Sequence, residues 1–164
     1  MNHEICQASK EHLIEVFELW IKLMDIHKEL DPVFFAKINE QGYKDDLKKY
    51  FYHPDASIYV CILEGKIVGY VTATFTDRHL SYNSLKYCTI GDIMVDKDFQ
   101  RKGIGRLLYN SVVDWAKLKK ADRVELDVIH KNIESYKFFR KLKFQNSWHT
   151  LELKLQNVTP TNFL

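Results

Sequence analysis

In this 164-residue chain, hydrophobic periodicity switches from that of a strand to that of a helix across one short glycine turn, and this switch constrains the fold most. Tyr87 to Val95 reads as a strand, and Ile104, Leu107, Leu108, Val112, Trp115 and Leu118 form a helical stripe reaching Lys120. Between them lies Gln100-Arg101-Lys102-Gly103-Ile104-Gly105-Arg106. Glycines at 103 and 105 leave the backbone bare, so N–H groups at the helix start can approach an anion while the helix dipole favours its charge. Arg101, Lys102 and Arg106 surround the same turn. A cradle for a pyrophosphate is expected; in isolation, the competing explanation of the glycine pair is steric.

Two familiar phosphate motifs do not fit. A dinucleotide fingerprint requires a third glycine, whereas Leu107, Leu108 and Tyr109 follow Arg106. A Walker loop ends in Gly-Lys-Ser/Thr, whereas Gly105 precedes Arg106-Leu107. Within the preceding strand, Ile90 and Ile93 are apolar at an odd interval, which an extra residue near Gly91 would reconcile. Such a β-bulge frees backbone groups from the ladder, so they become available to a ligand.

The remaining pattern completes an α+β chain. A short strand at Ile5–Ala8 precedes a helix from Lys10 to Leu30, with Leu13, Phe17, Trp20, Ile21 and Met24 on one stripe. Asp31-Pro32 stops it. A second helix is expected over Gly42–Tyr52, then a hairpin of Ser57–Leu63 and Ile67–Thr76, whose residues 67, 69, 71, 73 and 75 alternate with a mixed face. A strand over Arg123–Ile129, a helix over Asn132–Leu142 and a last strand over Trp148–Leu155 follow. One domain over 1–156 with a short tail at 157–164 is expected.

With 46% hydrophobic residues, a chain of this length buries a core without metal or disulfide support. A formal charge of +2, with signs interspersed, gives no basic field for nucleic acid. Cys6, Cys61 and Cys88 form no CxxC pair and are odd in number, and no apolar run has the length of a membrane span or the order of a signal. A cytoplasmic protein, without membrane, nucleic-acid or metal partners, is expected. Asn157-Val158-Thr159 is read as a chance sequon.

The run Val95-Asp96-(three residues)-Gln100-Arg101-Lys102-Gly103-Ile104-Gly105-Arg106-Leu107-Leu108 resembles the acetyl-CoA motif of the GNAT family of N-acetyltransferases, written Q/R-x-x-G-x-G/A. The likeness covers residues 57–155 in good order and 3–55 more loosely. Asn132-Ile133-Glu134-Ser135 through Phe144 resembles the second signature, N-x-x-A/S-x-x-x-Y-x-x-x-G-F, at Asn132, Ser135 and Phe144. Phe139 stands at the tyrosine that protonates the departing thiolate in many members, and Lys143 at the glycine.

The resemblance implies a mixed, mostly antiparallel sheet of six to seven strands flanked by about four helices, with strands four and five splayed around the pantetheine arm of acetyl-CoA. Backbone groups of Ile93, Met94 and Val95 would hold the arm. Gln100 through Arg106 would bind the pyrophosphate, and Asn132 and Phe139 would contribute to the cofactor site. The acetyl group would pass to an amine without a covalent enzyme intermediate. A CoA-binding sensor without turnover and a protein N-terminal or lysine acetyltransferase are the alternatives.

Expelling a thiolate of pKa ~8.5 at pH 7 forgoes about 2 kcal/mol, whereas deprotonating an alkylammonium of pKa ~10.4 costs roughly 4–5 kcal/mol. A base therefore matters more than an acid. Asp92, on the strand beside the expected thioester, is the candidate base, against a carboxylate satisfied by its neighbours. Tyr136, one turn before Phe139, is the candidate acid, against aromatic packing; Tyr70, Tyr82 and Tyr109 are stand-ins. Acceptor walls would come from residues 24–42 and 77–86, leaving the small-molecule amine or peptide acceptor unnamed. The family likeness admits a homodimer through the last strand as well as a monomer.

Overall fold

The computed structural model describes residues 3–37, 39–76, 85–147 and 150. They fall into two units, Met1–Lys131 and Asn132–Leu164. The first contains, in chain order, β1 (Glu4–Gln7), α1 (Leu13–Leu30), α2 (Glu40–Tyr50), β2 (Ala56–Leu63), β3 (Lys66–Thr76), β4 (Tyr87–Val95), α3 (Ile104–Leu118) and β5 (Arg123–Leu126). The second contains α4 (Ile133–Lys141).

The strands lie in sequence order, β1 to β5. β1 to β4 pair antiparallel, and β5 joins β4 in parallel. A parallel neighbour needs a crossover, which α3 provides. The mixed, mostly antiparallel sheet is therefore present, with five strands among the described residues rather than six to seven. The expected last strand, Trp148–Leu155, lies almost wholly outside those residues, and β5 ends at Leu126, short of the expected Ile129.

Helices cover both faces of the sheet. Val16, Trp20 and Leu23 of α1 and Leu47 of α2 pack with Ile58, Val60, Tyr70 and Met94. On the other face, Ile104, Leu108, Val112 and Ala116 recur every four residues along α3 and pack with Cys61, Val71, Ala73 and Ile90. Leu107 and Leu118, expected in that stripe, are 39% and 82% exposed. These two leucines lie off the row of Ile104, Leu108, Val112 and Ala116 that meets the sheet.

Two irregularities decide which side chains face which layer. Cys61 pairs with Gly69 but Ile62 with Ile67, so Val68 is the extra residue and the strict alternation expected along β3 breaks there. Ile67 consequently joins the α1 side and Val68 the α3 side. Farther along, Val71 pairs with Ile93 and Ala73 with Ile90, leaving Thr72 opposite both Gly91 and Asp92. This is the bulge that the spacing of Ile90 and Ile93 implied. Both isoleucines pack on the α3 side, whereas Asp92 turns toward α2.

Pairing between β4 and β5 extends only from Tyr87↔Arg123 to Ile90↔Leu126. β4 continues to Val95, so one edge of residues 91–95 has no β5 partner. The splay expected between the fourth and fifth strands is thus present. Close approach holds the other edge: a Cβ at Gly69 would lie 2.9 Å from the Met94 carbonyl oxygen, so a side chain there would push β3 away from β4.

Candidate active site

Beyond Val95, the chain makes a short 3-10 turn, Lys97–Phe99, before α3 begins. Asp96 organises this exit. Its amide donates to the Val68 carbonyl at 2.9 Å, and its carboxylate accepts from the Asp98 amide. Lys22 Nζ of α1 donates to Asp96 Oδ2 at 2.5 Å. The Gln100 side chain donates to the Val95 carbonyl at 2.9 Å, folding the turn back onto the end of β4.

Left-handed backbone occurs in the turn where the anion cradle is expected. Arg101 has φ 62° and Gly103, the N-cap of α3, has φ 86°, a left-handed pair that aligns successive amides. Among the described residues, none of the amides of residues 101–105 donates to a backbone carbonyl, and the first donors to do so are those of Arg106 and Leu107. Such free amides at a helix start attract a negative ligand.

The basic side chains divide their tasks. Lys102 Nζ donates to the Asp98 carbonyl at 3.0 Å and lies over the Phe99 ring. Arg101 and Arg106 are exposed and form no ion pair among the described residues. Ile104 is buried in the core, so its contribution to the turn is its amide. Met94 is likewise buried, while Ile93 and Val95 are half-buried on the unpaired stretch of β4.

Asp92 sits at the bulge on this same stretch. Its amide donates to Thr72 Oγ1 at 2.8 Å, and its Oδ2 accepts a very short hydrogen bond from the Tyr43 hydroxyl of α2. Tyr43 is itself fixed by Trp20, the two rings lying parallel with centroids 3.9 Å apart. Burial pushes the Asp92 carboxyl above the ordinary range, and the hydrogen bond from Tyr43 offsets this only in part. Among the described residues, no Lys, Arg or His forms an ion pair with it. A carboxyl so placed holds a proton more readily than an exposed one.

Asn132 caps α4, its side chain accepting from the Ser135 amide at 3.1 Å. Phe139 is buried between the rings of Phe138 and Phe144. Tyr136 is exposed, and its hydroxyl donates to Asn146 Oδ1 at 3.2 Å. Lys143, at the position of the family's glycine, has φ 73°, the left-handed conformation in which a Cβ is costly. Of the stand-in tyrosines, Tyr82 lies outside the described residues, Tyr109 is half-buried on α3, and Tyr70 reaches the neighbourhood of Asp92.

Three residues of the site carry no signal in the sequence. Tyr43 is 49 positions from Asp92 and Lys22 is 74 from Asp96, so only folding reveals either contact. Thr72 is placed by the bulge. Lys22 lends itself to a direct test. Its hydrogen bond holds the Asp96 carboxyl below its usual range, so the stabilisation is complete above the ordinary carboxylate pKa and is lost as pH falls through the lowered value. Lys22→Ala is expected to lose up to about 1 kcal/mol at pH 7, because Lys22 is half exposed. The difference in Tm from the parent should vanish in strong acid; a constant difference from pH 2 to 7 would assign the loss to packing.

The model of the Acetyltransferase (GNAT) family matches residues 20–144, across both units. An uncharacterized N-acetyltransferase of Methanocaldococcus jannaschii is 27% identical over 143 residues, which are 87% of this chain and 61% of that protein. The chain thus spans less than two thirds of that relative's length. A tetramutant of a Bacillus halodurans protein superposes with a TM-score of 0.84 at 24% identity, covering 92% of this chain and 99% of the other. An aminoglycoside acetyltransferase, solved in complex with a bisubstrate analogue joining CoA to acetylneamine, superposes with a TM-score of 0.75 at 19% identity, covering 94% and 98%.

Proposed function

The chain belongs to the acetyltransferase (GNAT) family, and from this we propose that it transfers an acetyl group from acetyl-CoA directly to a primary amine. The observation that carries this reading is the unpaired edge of residues 91–95, with the free amides of residues 101–105 at one end and Asp92 within it. A pantetheine arm would extend the sheet along that edge, as an added strand does. The diphosphate would rest on the amides, with Arg101 and Arg106 supplying charge and Gln100 and Lys102 holding the turn's shape.

Asp92 then accepts a proton from the bound ammonium. The freed nitrogen attacks the thioester carbonyl carbon, the C–N bond forms, the C–S bond breaks, and the nitrogen's second proton passes to the departing sulfur, directly or through water, so that CoA leaves as the thiol. Holding both reactants on one strand supplies much of the acceleration. Asn132 and Phe139 enter this proposal through the family signature alone, and Tyr136 as the candidate acid one helical turn before Phe139. The protein is proposed to act as a single domain in the cytoplasm, on a small-molecule amine or a peptide.

Incubation with acetyl-CoA and a panel of diamines, polyamines, aminoglycosides and lysine peptides is expected to release free thiol and yield an acetylated product with at least one class. Tight acetyl-CoA binding with no thiol released across the panel would instead identify a sensor of the cofactor.

A further inference from the structure

Tyr70 has a fully buried side chain whose hydroxyl makes no hydrogen bond among the described residues. An unmade hydrogen bond in a core is costly, so its position needs an explanation. Tyr70 shares its core cluster with Tyr43 and stands two positions along β3 from Thr72, which binds the Asp92 amide, so its hydroxyl approaches both Tyr43 and the Asp92 carboxyl. Tyr43 already engages Asp92 Oδ2, while Asp92 Oδ1 accepts no hydrogen bond among the described residues. The remaining groups facing this cluster are Tyr50 of α2 and Thr72 of β3, with Asp46 acting on Tyr50.

We infer that Tyr43 and Tyr70 are positioning residues for Asp92, with Tyr43 fixing one carboxylate oxygen and the idle hydroxyl of Tyr70 serving as a two-way partner for the other. This rests on Asp92 as the base for the amine. A hydroxyl both donates and accepts. Tyr70 can therefore donate to Oδ1 while Asp92 is ionised and accept from the Oδ1–H formed when the ammonium gives up its proton. In that step an N–H bond breaks, an O–H bond forms, and the nitrogen keeps the electron pair it needs for attack. Phenylalanine at either position would keep the ring and remove this function.

The test compares Tyr70→Phe, Tyr43→Phe and Asp92→Asn, each with Tm, acetyl-CoA binding and a pH profile of kcat/KM. Tyr70→Phe removes a hydroxyl that makes no hydrogen bond among the described residues, so Tm should hold or rise while kcat falls about tenfold. Tyr43→Phe retains the ring stacked on Trp20 but loses a donor to the carboxylate, so the acidic limb of the profile should move up by about one pH unit. Acetyl-CoA binding should be unchanged in both. Wild-type kcat in Tyr70→Phe together with an unmoved limb in Tyr43→Phe, while Asp92→Asn is inactive, would overturn the positioning roles alone. Wild-type turnover in Asp92→Asn would overturn the base assignment beneath them.

Discussion

Gly103→Val is expected to abolish measurable acetyl-CoA binding by calorimetry, weakening it by about 100-fold or more, equivalent to roughly 2.7 kcal/mol. Two effects combine. At φ 86°, a β-branched residue is strongly disfavoured, so the turn would relax and the left-handed pair with Arg101 would be lost. A Cβ at Gly103 would meet nothing within 4 Å, so the new side chain would project into open space beside the free amides. The fold should survive, because the core row of α3 begins at Ile104 and the turn itself is exposed. Retained micromolar affinity in a variant with parental Tm would mean that the diphosphate binds elsewhere.

Asp92→Asn should lower kcat/KM by about 10²- to 10⁴-fold, the usual scale for loss of a general base. Its stability should move the other way. Burial raises the Asp92 carboxyl, so the folded protein binds that proton more tightly than the unfolded chain does. Between the ordinary carboxylate pKa and the raised value, stability therefore falls as pH rises, and above the raised value the ionised group remains a net cost. Asparagine carries no charge and can still accept from Tyr43. The variant's Tm should equal or exceed the parent's at pH 7, with the advantage disappearing in acid. An inactive variant that also lost stability at pH 7 would point instead to a structural carboxylate.

Helix α2 reaches the proposed base. Tyr43 connects that helix to Asp92, while Lys22 connects α1 to the turn that precedes the cradle. The helices that cover one face of the sheet thereby touch both the proposed base and the proposed donor site. Lys22→Ala separates these roles, since it leaves Asp92 and Tyr43 untouched.

What was legible in the residues was what short-range physics controls. β4 appears at the bounds read from the residues, Gly103 takes the left-handed conformation a glycine permits, and the bulge falls beside Gly91, because each depends on neighbours within a few positions. The stripe of α3 was only partly legible: Leu107 and Leu118 are apolar and nearly in phase, yet the sheet covers only the row of Ile104, Leu108, Val112 and Ala116. The family signature is equally local, seven consecutive positions around a helix start.

By itself, then, the sequence determined the order of the elements, the strand-to-helix turn with its bare amides, and the family to which the chain belongs. Tertiary structure alone decided that β5 stops opposite Ile90 and leaves residues 91–95 open, and that one inserted residue turns Asp92 toward Tyr43 and Tyr70. The reason lies in range: dihedral preference and hydrophobic period act over a turn or two, whereas a carboxyl's burial and its partners depend on groups that only the closed sheet and its covering helices bring together.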